Sequence, residues 1–377
     1  MTGAIRQCTK LLAILFALWA CTWVASAGAQ AARDAPQFKV DPFWPKPLPG
    51  NWMLGQVAGI AVDSQDNVWI IHRPSTLVDD EKGALQNPPL TRCCTPAPPV
   101  LKFDREGNLL ASWGGPVREP GPPAYEWPKS EHGIMVDSAG NVWLAGNDSV
   151  DHQILKFTGD GKFLMQIGRA GSTGGSNSPT QLGRPAHMML DEKAGELYVA
   201  DGYLNHRVLV LDAKTGAYKR HWGAYGNRPS DDRQPPYSPQ AASLPQFNNP
   251  VHCVRLSRDG LLYVCDRGND RIQVFRPDGK FVKEFRVEPN TLQNGSVWDL
   301  VLSEDAAQRY IFVADGANNQ VMTLLRENGQ QVGSFGRPGR MAGEFKWVHN
   351  MAIDSQGNLY TSEVGTGRRA QKFTRLR

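Results

Sequence analysis

Apolar and polar residues alternate with a period of two along most of the chain after residue 55. Each stretch of alternation is interrupted by a short turn that contains Asp or Ser, and then resumes. Alternation on both sides of a turn predicts a β-hairpin. The pattern occurs six times, at residues 59–71, 133–145, 187–200, 252–265, 299–314 and 350–362.

A second alternating segment follows each of these hairpins, at residues 100–114, 154–168, 208–223, 272–285, 321–336 and, truncated, 370–373. Each complete unit therefore holds four predicted strands. Four antiparallel strands repeated at intervals of tens of residues are typical of propeller blades around a central channel. The sequence thus predicts an all-β, six-bladed β-propeller, formed as one domain by residues 30–377.

The sixth unit stops before a fourth strand is written. Residues 36–40 have strand character, and we expect them to supply that strand, close the ring and cover two sheet edges. Three long segments between predicted strands, 74–99, 169–184 and 224–249, are expected to form loops, some of them over the mouth of the channel.

The composition agrees with this fold and disfavours a nucleic-acid-binding function. The 38 Gly and 27 Pro among 377 residues favour turns and loops over long helices. The formal net charge of +4 is small and dispersed, with no run of Lys or Arg. We therefore expect no nucleic-acid partner.

Residues 1–29 have the features of a signal peptide. Arg6 and Lys10 precede the apolar stretch 11–25, and small residues follow it. Because this stretch is shorter than the roughly 20 residues of a membrane span, we predict a cleaved signal, no membrane span and a secreted or periplasmic protein. Cys21 leaves a lipoprotein signal as an alternative, which Trp19 disfavours.

Four cysteines follow this segment, and an exported protein favours their pairing. Cys253 and Cys265 flank the predicted turn 257–260 and would face each other across a hairpin, so we predict a disulfide between them. Cys93 and Cys94 are adjacent in a Pro-rich segment, and the sequence leaves their state open.

One position of the repeat carries candidate chemistry. Five residues before the turn Asp or Ser, the six units carry, in order, Ala58, His132, Ala186, His252, Trp298 and His349. Alternate blades of a six-bladed ring are related by about 120°, so three imidazoles from the innermost strands would converge on the channel axis. A single histidine at a strand end is more often a structural residue, but three at one register on alternate blades predict a metal site.

Three neutral imidazoles suit a tetrahedral ion with one open position, as in catalytic zinc sites. Imidazole also binds copper, iron and nickel, and zinc is favoured because no carboxylate completes a facial triad. His187 falls one residue later in its strand, and the pleat is expected to turn it away from the channel. The histidines outside the ring position are expected to be structural or solvent-facing: His72, His152, His206 and His221.

These residues resemble a known family, the peptidyl-α-hydroxyglycine α-amidating lyases, which are six-bladed propellers of the NHL-repeat type. The resemblance covers most of the chain and is strongest at residues 55–73, 131–137, 198–208, 250–275 and 348–354. It implies zinc on His132, His252 and His349. It also implies catalytic roles for Arg73, Tyr203 and Arg267.

The resemblance further implies a structural calcium in the channel, held by the carbonyls of Ile60 and Ile134 and by an acidic residue next to the last histidine. This chain has Asn350 at that acidic position. An amide oxygen ligates calcium without supplying charge, so we expect weaker calcium binding here. No copper monooxygenase segment accompanies the propeller in this sequence.

The implied reaction splits an α-hydroxyglycine-type carbinolamide into an amide and glyoxylate. Zinc would acidify the substrate hydroxyl, Tyr203 would shuttle a proton, and Arg73 with Arg267 would clamp the carboxylate of a small-molecule or peptide substrate. Asp201 and Asp266 are expected to orient these side chains. Two alternatives stay open: a propeller hydrolase of the lactonase kind, and a non-catalytic NHL-type scaffold that binds a partner.

Overall fold

The computed structural model, which describes residues 34–117 and 122–376, consists of six four-stranded antiparallel sheets arranged as the blades of a propeller. The six-bladed fold predicted from the repeats is confirmed. The proposed signal segment, 1–29, lies outside the described residues. No helix in the two described stretches is both long and apolar enough to cross a bilayer.

Strands β1 (Phe38–Asp41) and β2 (Trp52–Met53) precede the first blade. Blade 1 contains β3 (Gln56–Val62), β4 (Val68–Arg73), β6 (Val100–Phe103) and β7 (Leu109–Trp113), and β5 (Thr95–Pro96) pairs with β2 outside it. Blade 2 contains β8 (Glu131–Val136), β9 (Val142–Gly146), β10 (Gln153–Phe157) and β11 (Phe163–Gly168). Blade 3 contains β12 (Pro185–Asp191), β13 (Glu196–Asp201), β14 (Arg207–Asp212) and β15 (Tyr218–Trp222).

Blade 4 contains β16 (Val251–Leu256), β17 (Leu262–Asp266), β18 (Arg271–Phe275) and β19 (Phe281–Arg286). Blade 5 contains β20 (Asp299–Leu302), β21 (Tyr310–Asp315), β22 (Gln320–Leu325) and β23 (Gln331–Phe335). Blade 6 contains β24 (Val348–Ile353), β25 (Leu359–Glu363) and β26 (Ala370–Arg375). Four short 3₁₀ helices lie in the loops: Pro74–Thr76, Asp79–Leu85, Ala224–Gly226 and Arg267–Asn269.

The ring closes as the sequence predicted. Strand β1 pairs antiparallel with β26, with Phe38 opposite Arg375 and Asp41 opposite Lys372. Blade 6 therefore combines three strands from the end of the chain with one from its beginning. This pairing covers the edge that β26 would otherwise leave open.

The turn Asp of the repeat is explained by the aromatic residue six positions later. The Asp63 carboxylate accepts a hydrogen bond from the Trp69 indole N–H at 2.9 Å. Blade 2 repeats the pair with Trp143 donating to Asp137 at 3.2 Å. In blade 6 a Tyr hydroxyl donates to Asp354 at 3.0 Å. The pattern visible in the sequence thus corresponds to a side-chain hydrogen bond that fixes the inner hairpins of blades 1, 2 and 6.

The hydrophobic core lies between neighbouring blades. In one cluster Met135 and Trp143 of blade 2 pack with Met188 and Leu197 of blade 3, and all four are buried. Each blade therefore stabilises the next, as expected for sheets that are apolar on both faces.

Both cysteine pairs are bonded. Cys253 and Cys265 lie opposite each other on β16 and β17 and form the predicted disulfide. The neighbours Cys93 and Cys94, whose state the sequence left open, also form a disulfide.

Asp270, which follows the 3₁₀ turn of blade 4, should make stability depend on pH. One carboxylate oxygen accepts the Ser296 N–H at 2.8 Å, the other has no hydrogen-bond partner among the described residues, and burial raises the pKa of Asp270 from 3.8 to about 7. Because the folded state holds this proton more tightly, the free energy of unfolding falls as pH rises from about 4 to 7.

We expect Asp270→Asn to raise the free energy of unfolding by about 1–3 kcal/mol relative to the wild type at pH 8, and to change it little at pH 4. Asparagine also suits the left-handed backbone of residue 270 (φ 50°). Urea unfolding at both pH values measures the effect, with Asp278→Asn on an exposed turn as the control. An equal difference between wild type and variant at both pH values would contradict the assignment.

Candidate metal centre and active site

Three histidines meet at one end of the channel. His132, His252 and His349 come from the innermost strands of blades 2, 4 and 6, and all are buried. Their ring centroids are 4.8–5.1 Å apart, and one nitrogen from each lies within 4.8 Å of the others. The structure therefore brings together the three side chains that the repeat alignment selected.

Each imidazole is oriented by a backbone carbonyl of the following blade. Nδ1–H of His132 donates to Ala186 O at 2.8 Å, and that of His349 donates to Ala58 O at 2.7 Å. His252 bonds in the same way to the carbonyl of Trp298. Since a carbonyl only accepts, Nδ1 carries the proton and Nε2 keeps a free lone pair.

The carbonyls come from the same repeat position as the histidines, on the three blades that lack one. In most blades a β-bulge lies at this position: the strand register shifts between Glu131 and Ile134, between Val251 and Cys253, and between Val348 and Met351. A bulge removes a residue from the ladder and re-aims its side chain and carbonyl.

Close approach of the blades also explains one glycine. A Cβ on Gly133 would lie 2.7 Å from Ala186 O, the carbonyl that orients His132. Any larger residue would push this acceptor away.

The electrostatics suit metal ligation. Burial is the main cause that lowers the pKa of all three imidazoles, for His349 to about 3. The rings are therefore neutral, as a metal ligand must be. Three neutral, anchored nitrogens with converging lone pairs fit a divalent cation of the zinc class.

Tyr203 lies over this cluster. Its hydroxyl is 2.9 Å from Nε2 of His132 and 3.0 Å from Nε2 of His252. Asp201 fixes the loop that carries it, because its carboxylate accepts from Asn205 at 2.8 Å and from Arg207 at 2.8 Å. Asp201 thus positions Tyr203 through the backbone.

Blade 4 repeats this device for Arg267. The Asp266 carboxylate accepts from Asn269 at 2.8 Å and from Arg271 at 2.7 Å. The Arg267 guanidinium lies over the rings of Trp298, at 4.4 Å, and Tyr203, at 5.8 Å. Its Nε is buried without a hydrogen-bond partner among the described residues.

Arg73 reaches the same site from the end of β4, but more of its donors are already hydrogen-bonded. Its Nε donates to Glu131 O at 2.7 Å, and its two Nη atoms donate to Gln56 Oε1 at 2.9 Å and Asn147 Oδ1 at 3.1 Å. Burial lowers the pKa of both Arg73 and Arg267, so each guanidinium has lost water that an anion could replace.

The residues expected to hold calcium are less well matched to their ion. Asn350 donates from Nδ2 to Asp299 at 3.0 Å, and its buried Oδ1 has no hydrogen-bond partner among the described residues. Asp299 is paired with Arg255 at 2.6 Å. Ile60 and Ile134 are buried on inner strands. These predicted ligands offer Ca²⁺ only uncharged oxygens, whereas tight calcium sites use carboxylates.

The other histidines do not join the three-histidine cluster. His72 is buried and accepts the Gly55 N–H at 3.1 Å. His187 is buried rather than solvent-facing, and with Arg255 it lines a cavity of about 430 Å³ along the inner strands. The prediction that the pleat turns it away from the channel was therefore wrong, because a bulge between Pro185 and His187 shifts its register.

Sequence reasoning missed several residues that shape the site. Gln56 and Asn147 hold Arg73, and Trp298 stacks on Arg267. Trp298 had a signal, since it occupies the ring position of blade 5. Gln56 and Asn147 had none, because neither stands at a repeated position with chemistry of its own.

The fold and site define a six-bladed propeller with three histidines converging in its channel. The NHL repeat family model matches residues 247–275, which include His252 and Arg267. The mouse NHL repeat-containing protein 3 is 26% identical over 75% of this chain and 66% of its own length. The Drosophila melanogaster peptidyl-α-hydroxyglycine α-amidating lyase 1 is 26% identical over 85% of this chain and 57% of its own length.

The resemblance to the amidating lyases predicted from the motifs is thus confirmed. The chain spans about two thirds or less of these curated relatives. Among solved structures, one described as a streptogramin B lyase superposes with a TM-score of 0.51 at 13% identity, covering 90% of this chain and 98% of that one. At this identity the likeness shows the fold alone.

Proposed function

We propose that this protein is a zinc-dependent lyase that splits an α-hydroxyglycine-type carbinolamide into an amide and glyoxylate. One observation carries the proposal. Three buried imidazoles direct their lone pairs toward one another, and the Tyr203 hydroxyl lies within hydrogen-bond distance of two of them. The relative that bears the amidating-lyase name supports the same reaction.

His132, His252 and His349 would hold the ion. When bound, zinc supplies Lewis acidity toward oxygen atoms of the substrate. The carbonyls of Ala186, Trp298 and Ala58 keep the three rings in place, so little ordering is left to occur on binding. The buried setting of the rings keeps bulk water away from the reacting carbon.

Tyr203 moves the proton that the reaction must transfer. The substrate hydroxyl loses a proton, the C–N bond breaks as a C=O bond forms, and the amide nitrogen gains a proton. A phenol beside both atoms can give its own proton to the nitrogen and take up the proton of the substrate hydroxyl in its place. The loop bonds of Asp201 hold the Tyr203 backbone while this occurs.

The two arginines bind the substrate carboxylate. Arg267 is the principal group, because its Nε has no partner among the described residues and its face is fixed on Trp298. Arg73 contributes the donors that Gln56, Asn147 and the Glu131 carbonyl leave free. The substrate is a small molecule or peptide that ends in an α-hydroxyglycine.

Two further parts of the proposal concern calcium and location. Calcium would bind weakly beside Asn350, through the neutral oxygens of Ile60, Ile134 and Asn350.

We also propose that residues 1–29 direct export and residues 30–377 form the mature domain. The two disulfides support an oxidising compartment.

Elemental analysis of the purified protein together with a glyoxylate-release assay on α-hydroxyhippurate tests the proposal. We expect about one equivalent of zinc and metal-dependent release of glyoxylate, with little calcium. One equivalent of metal without glyoxylate would contradict the lyase and favour a scaffold.

Replacing Arg267 should separate carboxylate binding from metal binding. We expect Arg267→Ala to keep a full equivalent of metal and to raise KM for α-hydroxyhippurate roughly 10- to 100-fold, because a charge-assisted hydrogen bond is lost. Steady-state kinetics and metal analysis of one sample measure both effects. A variant that loses its metal, or keeps its KM, would contradict this role.

A further inference from the structure

A third arginine lies at this site. Arg184 precedes β12 and carries its guanidinium 5.6 Å from the Tyr203 ring, close to the distance of Arg267 from the same ring. Its carbonyl accepts the Tyr203 N–H at 3.2 Å, and its backbone is left-handed (φ 61°), which is uncommon for an arginine. The backbone thus ties Arg184 to Tyr203.

The Arg184 side chain is held in place. Its Nε donates to Asn147 O at 2.9 Å, and Nη2 donates to the same carbonyl. The Oδ1 atom of Asn147 accepts from Arg73. One residue therefore orients two guanidinium groups, and Nη1 of Arg184 makes no hydrogen bond within the described part of the chain.

These arginines form no direct ion pair in the part of the chain that the structure describes. Within the described ranges, no carboxylate oxygen lies within 4.0 Å of a guanidinium nitrogen of Arg73, Arg184 or Arg267. The charges of Glu131 and Asp151 reach Arg73 from a distance. The Glu131 carboxyl group accepts the Trp127 indole N–H, and the Asp151 oxygens accept three backbone N–H groups. The three guanidinium groups thus lie beside the site without a direct ion pair within the described ranges.

One α-hydroxyglycine carboxylate satisfies Arg267 and part of Arg73, and leaves Arg184 without an anion. We propose that Arg184 is a second anion subsite, so that the preferred substrate carries a carboxylate on the acyl side of the carbinolamide as well. This inference rests on the proposed lyase function for its substrate. Both guanidinium groups lie against the same Tyr203 ring, so one small dianionic molecule can reach both.

Two isosteric substrates test the subsite: N-acetyl-glutamyl-α-hydroxyglycine, a dianion, and N-acetyl-glutaminyl-α-hydroxyglycine, a monoanion. The wild type should show a kcat/KM roughly tenfold or more higher for the glutamyl substrate. Arg184→Gln removes the charge and keeps a donor for Asn147 O, and it should reduce this ratio to about one. Arg184→Lys should retain part of the preference, because it keeps the charge and loses the planar fork.

Arg276→Gln is the matched control, because it removes an exposed arginine at the turn between β18 and β19, the opposite end of the strands from Arg267. It should leave the glutamyl preference unchanged. Equal kcat/KM for both substrates in the wild type, or a preference that survives in Arg184→Gln, would overturn the proposal. If Arg184 had only a structural role, Arg184→Gln would lower kcat/KM equally for both substrates. The ratio of the two kcat/KM values would then stay as in the wild type.

Failure of the lyase itself is distinguishable. If neither substrate releases glyoxylate, the proposed function fails, and calorimetric titration with the unreactive dipeptides N-acetyl-Glu-Gly and N-acetyl-Gln-Gly decides the subsite. Tighter binding of the glutamyl dipeptide in the wild type, lost in Arg184→Gln, supports it. Equal binding of the two dipeptides contradicts it.

Discussion

Replacing His252 with alanine is expected to remove the metal and abolish glyoxylate release. His252 supplies one of three nitrogens, and two imidazoles alone hold a divalent ion far more weakly. We expect the metal content to fall from about one equivalent to below about 0.1, and kcat/KM to fall roughly a thousandfold or more. Elemental analysis and the glyoxylate assay on the same sample measure both.

The control must separate loss of a ligand from loss of the fold, because His252 is fully buried and alanine leaves a cavity. His252→Gln keeps most of the volume, and it should lose the metal while unfolding at nearly the wild-type temperature. His221→Ala, on the outer strand β15, should change neither the metal content nor the unfolding temperature. Full metal content in both His252 variants would refute the three-histidine centre.

The fold was predictable because its signal is repeated. Six copies of one alternating pattern overcome the ambiguity of any single strand, and the bond from Trp69 to Asp63 shows why the turn Asp and the aromatic residue recur together. Closure of the ring was also predictable, since the sixth unit lacked a fourth strand and residues 36–40 had strand character.

The histidines were predictable for the same reason, and their orientation was not. Alignment on the turn placed His132, His252 and His349 at one register. The bulges that re-aim these histidines depend on how two strands pair, and no residue type predicts them. For His187 the strand position was predictable, but the bulge in blade 3 changed the face on which it lies.

The interior below the histidines was also hidden from the sequence. Asn350 suggested a weak calcium site, but its contact with Asp299 and the pairing of Asp299 with Arg255 join blades 4, 5 and 6. Contacts between distant repeats leave no periodic signal. Arg184 is similar, because its importance arises from its distance to Tyr203.

Alternate blades contribute different groups to the three-histidine cluster. Blades 2, 4 and 6 supply the imidazoles, and the same repeat position in blades 3, 5 and 1 supplies the carbonyls that orient them. Each ligand is thus fixed by a neighbouring blade. A change in the packing between blades would therefore change the orientation of the three histidines.

Replacing Tyr203 with phenylalanine should separate catalysis from metal binding. The ring and its contacts with Arg184 and Arg267 remain, and only the hydroxyl beside His132 and His252 is lost. Because positioned proton transfer contributes roughly 10²- to 10⁴-fold, we expect kcat to fall by that factor while the metal stays at about one equivalent and KM changes little.

The matched control is Tyr218→Phe, which removes a hydroxyl from a partly exposed tyrosine of the outer strand β15 and should leave kcat unchanged. Metal analysis is decisive for Tyr203→Phe, since a phenol that mainly stabilised the histidines would lower metal content and activity together. A kcat within about threefold of the wild type would show that another group carries the proton. Loss of kcat at full metal content is the result that a proton shuttle requires, because only the transfer step has lost its donor.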